Sequence, residues 1–71
     1  MKTGLLIFDD SSQTLAQKVA LAVVAYRRKF GEMPNRCFVH LSEGSEFELG
    51  GVKVTPLRTV LKHHFWIGIE K

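Results

Sequence analysis

Cysteine is nearly missing from this sequence. Its 71 residues include one, Cys37, so no disulfide can close within the chain, and a cysteine-rich zinc cluster is excluded. Long apolar runs are missing as well. The longest, Val19–Ala25, falls far short of the roughly 20 residues that cross a bilayer. The run behind Met1 and Lys2, Leu5–Phe8, is too short for the apolar stretch of a secretory signal. A reducing cytoplasm is therefore the expected location. No phosphate-loop pattern surrounds Gly50-Gly51, which reads as a turn. No repeat, linker or low-complexity segment interrupts residues 1–71, which read as one domain. A single strong charge is lacking too. The net charge is +3, but the bases are spread out and Glu43, Glu46 and Glu48 stand among them, which suits a solvated surface better than a nucleic-acid footprint.

So short a chain buries a modest core. Stability above about 3–5 kcal/mol would be unusual without a staple or a partner.

What is present is one strongly periodic segment, Ser12–Phe30. Leu15, Val19, Ala22, Val23, Tyr26 and Phe30 recur at spacings of three and four and fall on one stripe of a helix. Asp10 or Ser11 is the expected cap, and Asp10 with Gln13 has the spacing of a capping box. Gly31 ends the helix, with Pro34 just beyond. Acids at the start and Arg27, Arg28 and Lys29 at the end suit the helix dipole. Leu21 and Val24 lie off the stripe, near Arg28. Because Val19–Ala25 is apolar all round, the helix is expected to be covered on more than one side.

The other segments read as strands. Thr3–Phe8, with four consecutive apolar residues, suggests a central strand covered on both faces. Arg36–Leu41 alternates Cys37, Val39 and Leu41 against Phe38 and His40. If these two strands pair directly, the helical crossover makes them parallel. Phe47–Val54 has the pattern of a hairpin with Gly50-Gly51 as its loop, setting Leu49 opposite Val52, Glu48 opposite Lys53 and Phe47 opposite Val54. Thr55-Pro56 opens either a helical turn or an extended connection. His64–Ile69 is the last strand, with Phe65, Ile67 and Ile69 alternating against His64, Trp66 and Gly68.

Tyr26, Phe30-Gly31 and Pro34, followed by a Val-containing strand and then by His64-Phe65-Trp66-Ile67-Gly68, resemble small uncharacterised bacterial α+β proteins over most of the chain. The resemblance implies a fold and no activity.

Three groups of residues invite a chemical reading. Asp9-Asp10, between a strand and a helix, could hold Mg²⁺, but helix capping and the helix dipole explain both residues without a metal and are the expected role. His40, His63 and His64 could ligate a metal or shuttle a proton. However, neighbours on a strand point to opposite faces, so His63 and His64 cannot share one ion without a bend. Cys37 has no feature that would favour a thiolate and reads as a small buried hydrophobe. Nothing assembles a nucleophile, a base and an oxyanion site, so no catalytic, cofactor or metal residue is assigned.

The expected fold is α+β: two layers, one long helix on a mostly antiparallel sheet of four or five strands, in the order β-α-β-β-β-(turn)-β. The expected core is Leu5, Ile7, Leu15, Val19, Val23, Tyr26, Phe30, Val39, Leu41, Phe47, Val54, Phe65 and Ile67. One helix covers two or three strands, so the second face, with Leu6, Phe8, Phe38, His40, His64 and Trp66, stays open unless Leu57–Leu61 folds over it. An apolar, aromatic centre with a polar margin, here Glu48 and Lys53, is the pattern of a binding patch. The expected function is a non-enzymatic, self-associating protein-interaction module. Its candidate contact residues are Phe38, His40, His64 and Trp66 on the sheet and Leu21, Val24 and Arg28 on the helix. The alternatives are a single-stranded nucleic-acid binder using the aromatic face and a small metal-dependent hydrolase. The two aromatic runs of an RNA recognition motif are absent.

Overall fold

Thr14 starts the helix. In the computed structural model, which describes residues 3–70, its hydroxyl accepts from the N–H of Gln17, and the Gln17 side chain accepts from the N–H of Thr14. This is a complete capping box, and it sets helix α1 at Leu15–Phe30. The expected start at Ser12 and the cap at Asp10 or Ser11 are therefore corrected. The reason lies in Asp9: its carboxylate accepts from Ser11 N–H at 2.9 Å and bends the chain before the helix can begin. No acid lies in the first turn, whereas Arg27, Arg28 and Lys29 occupy the last, which ends on left-handed Gly31.

The remaining elements are β1 (Thr3–Phe8), β2 (Arg36–His40), a 3₁₀ turn at Leu41–Glu43, β3 (Phe47–Leu49), β4 (Val52–Leu57) and β5 (His64–Ile69). They form one five-stranded sheet in the order β1-β5-β2-β4-β3. Neighbours run antiparallel except β2 and β4. The fold is thus α+β, with one helix on a mostly antiparallel sheet.

β1 is an edge strand and not a central one, and β5 stands between it and β2. Both β1 and β2 are antiparallel to β5, so they are parallel to one another across it, and the helical crossover spans one extra strand. The hairpin register is as expected: Leu49 opposite Val52, Glu48 opposite Lys53 and Phe47 opposite Val54. Gly50 and Gly51 have φ of 54° and 84°, the left-handed pair that such a two-residue loop requires. Thr55-Pro56 continues β4 and opens no helical turn. Pro56 lies past the end of β3, where β4 is paired on one side only and a missing N–H is tolerated.

The core lies between α1 and one face of the sheet. Val19, Ala22 and Tyr26 meet Cys37, Val39, Val52, Val54, Phe65 and Ile67, all essentially inaccessible. Leu5, Ile7, Leu15, Val23, Phe30 and Phe47 pack around them, half-buried. Leu41 is not in the core. β2 ends at His40, the 3₁₀ turn rotates Leu41 outward, and its side chain is exposed. Leu21 and Val24 are also exposed, so within the chain α1 is covered on one side only. No helix among the described residues is long and apolar enough to cross a membrane.

Candidate functional site: the free face of the sheet

The side of the sheet away from α1 is crossed by three rows of side chains, fixed by the strand registers. The middle row is Leu6, Trp66, Phe38 and Thr55. Phe8 and His64 begin the second row, and His40 with Leu57 continues it. The third is Gly4, Gly68, Arg36, Lys53 and Glu48. Strand alternation therefore puts Phe38, His40, His64 and Trp66 on this face, as their positions in the sequence suggest. Leu21, Val24 and Arg28 lie on the outer side of the helix, across the molecule. There Val24, Arg27, Arg28 and Gly31 border a separate, shallow depression. The seven candidates thus form two surfaces and not one.

The free face is apolar and open. Leu6 is 54% exposed, Phe8 59% and Trp66 37%. Leu57–Leu61 does not close over it. The segment makes two tight turns, with Val60 N–H donating to Leu57 and His64 N–H to Leu61. Its side chains line part of this face. On this face lies a groove of about 420 Å³, lined by Leu6, Phe38, His64 and Trp66 together with Leu57, Thr59, Val60 and Leu61. That Leu57, Thr59, Val60 and Leu61 line a groove together with the strands was not foreseen in the sequence; the two leucines and the valine of that stretch are its signal.

The polar margin is a linked set. Arg36 Nη1 is 2.7 Å from Glu70 Oε1, and its Nη2 donates to Thr55 Oγ1, which donates to Glu46 Oε2. Glu46 also lies 3.7 Å from Lys53. The Arg36 guanidinium stacks on Phe38, 4.9 Å from the ring centre. Asn35 clasps the Glu70 backbone in both directions, through Nδ2 and Oδ1. These bonds hold the cations of the margin beside carboxylates.

The histidines are held apart in role. His40 Nδ1 accepts from Ser42 N–H at 3.0 Å and caps the 3₁₀ turn. His64 Nδ1 donates to the carbonyl of Lys62 at 2.9 Å, and its ring meets Phe8 edge to face at 5.1 Å. His63 has a left-handed backbone, φ 65°, a conformation more open to His than to most side chains. The bend that this gives does not gather a metal site. No group of three or more His, Cys, Asp or Glu side chains among the described residues is placed to hold a metal ion. Asp9 is held below the usual carboxylate range by hydrogen bonds from Ser11, side chain and then backbone, with Lys18 and His63 adding smaller attraction. Asp10 is exposed. Burial pushes the Cys37 thiol up to about 12, which keeps it protonated and unreactive at neutral pH.

Set beside protein-family models, curated proteins and solved structures, the chain matches none of them.

Proposed function

We propose that the chain is a non-enzymatic protein-interaction module that also self-associates, and that the free face of its sheet takes an apolar segment of a partner protein. One observation carries this reading: the groove bordered by Leu6, Phe38, Leu57, Val60 and Trp66 is apolar, open and rimmed by charge on one side. Aromatic anchors in such a setting dominate protein contacts. A cytoplasmic setting goes with this reading, supported by a single, free, buried cysteine.

A nucleic-acid strand would ask for free cations beside the aromatics. Here Arg36 is tied to Glu70 and Lys53 lies near Glu46, which favours the protein partner. Selecting a displayed peptide library on the folded chain tests the choice. Peptides with apolar anchors are expected, and Phe38→Ala and Trp66→Ala should each lose them while keeping a wild-type circular dichroism spectrum. Selected peptides indifferent to both substitutions would overturn the reading. Tight, steeply salt-dependent binding of oligothymidylate would replace it with the nucleic-acid alternative.

A further inference from the structure

The two free edges of the sheet are unlike. At one end β3 is three residues long, with Glu46 and Glu48 on or beside it, and Pro56 interrupts β4 where that strand runs on past it. Short length, charge and proline keep an edge from accepting another strand. β1 has none of these protections. It is six residues of Thr, Gly, Leu, Leu, Ile and Phe, and among the described residues its outer side pairs with nothing.

The phase of that edge follows from one bond. Asp9 N–H donates to the His63 carbonyl at 2.9 Å, continuing the β1–β5 register. Antiparallel positions alternate between bonded and unbonded pairs. Thr3, Leu5 and Ile7 therefore bond to β5, and Gly4, Leu6 and Phe8 turn their N–H and C=O groups outward. These are also the three β1 residues on the free face.

We infer that β1 pairs antiparallel with β1 of a second copy, about a two-fold axis through Leu6. This rests on the reading of the chain as self-associating, and it assigns the second copy to the edge, leaving the groove open to a partner. In this register Leu6 meets its own counterpart, and Phe8 meets Gly4 of the second copy. Each of the three outward residues then exchanges both of its bonds. A slip of two residues loses one bonded pair, and a slip of one sends the side chains to the wrong faces.

The side chains fit the same register. Gly4 is opposite Gly68 within the chain, so that corner of the face carries no side chain. The exposed Phe8 ring of the second copy lies over it, and an aromatic across from an edge glycine shields the backbone that the glycine leaves bare. The axis stands perpendicular to the sheet, so both helices fall on one side. Two five-stranded sheets become one, and the two free faces become a continuous surface.

Cross-linking tests the register on the full chain, with Cys37 buried and out of the exchange. Under mild oxidation Leu6→Cys should form a disulfide-linked dimer, since its Cα atoms would sit about 5.5 Å apart across the axis. Phe8→Cys alone should not, because its counterparts would lie about 13 Å apart along the strands. A mixture of Gly4→Cys with Phe8→Cys should link. As a second reading, Leu6→Lys and Leu6→Glu should each sediment as monomers with unchanged circular dichroism, and mixing them should restore the dimer. Self-linking of Phe8→Cys, or no linking of Leu6→Cys, would overturn the inference. So would a wild-type chain that stays monomeric at every concentration reached, which leaves the groove reading to its own peptide test. Dissociation by Trp66→Ala and not by the Leu6 substitutions would show that the copies meet through their faces, overturning the edge contact while the module reading stands.

Discussion

Phe38 and Trp66 stand directly opposite one another on β2 and β5, on the face that α1 does not cover. One residue earlier on β5, Phe65 is 1% exposed and packs against the helix. A single strand thus carries a core aromatic and a surface aromatic side by side.

The pair gives a direct test of which face is interior. Phe65→Ala should cost about 3–5 kcal/mol, as truncating a buried aromatic does. Trp66→Ala should cost less, about 1–2 kcal/mol, because over a third of its surface is already in water. Urea unfolding of the two variants measures both. Equal losses would mean that the face bearing Trp66 is core.

Tyr26 is a second test of the interior. Its side chain is inaccessible, its ring lies 4.7 Å from that of Phe30, and its hydroxyl has no hydrogen-bond partner among the described residues. A buried polar group without a partner costs about 1–3 kcal/mol. Tyr26→Phe removes that cost and keeps the packing, so its melting temperature should match or exceed wild type. A clear loss of stability would reveal a partner for the hydroxyl.

Much of the fold is legible in the sequence because it rests on local patterns. The stripe Leu15, Val19, Ala22, Val23, Tyr26 and Phe30, the alternation of His64–Ile69 and the Gly50-Gly51 register each follow from a period or a turn rule. What was not legible depends on distant contacts. Leu5–Phe8 is apolar at every position, which reads as central. In the structure it lies at an edge, because β5, late in the chain, takes the place beside β2. Leu41 continues the alternation of its strand, yet His40 accepts the Ser42 N–H and turns the chain there. The free face was legible from alternation alone; the groove was not, since part of its lining comes from a loop whose path no period dictates.

The helix start is the clearest local correction, and it can be checked. Asp10, Ser11 and Thr14 are all competent caps, and the sequence offers Gln at both capping-box spacings. Only Thr14 and Gln17 bond reciprocally. Thr14→Ala should therefore cost about 1 kcal/mol, the usual loss for a capping hydroxyl. Asp10→Ala, at an exposed position before the helix, should be near neutral. Thermal unfolding of the two variants distinguishes them, and the reverse order would return the start of the helix to Ser12.

Cys37 links the core to alkaline pH. It is buried in β2 beside Val54 and Ile67, and burial raises its thiol from the ordinary value of 9.0 to about 12. The unfolded chain therefore releases this proton first. Stability depends on the difference in protons bound by the two states. Below pH 9 both states hold the proton and the contribution is fully present. Between pH 9 and about 12 the unfolded state ionises while the folded state does not, so stability falls as pH rises, by about 1.4 kcal/mol per pH unit at the steepest. Cys37→Ala removes the titrating group. It should be less stable at neutral pH because it loses packing, yet its stability should fall less steeply across that alkaline window. The comparison needs only urea midpoints for the two proteins at several pH values. Parallel curves would mean that the thiol is accessible in the folded chain, and rapid modification by a thiol reagent at neutral pH would say the same.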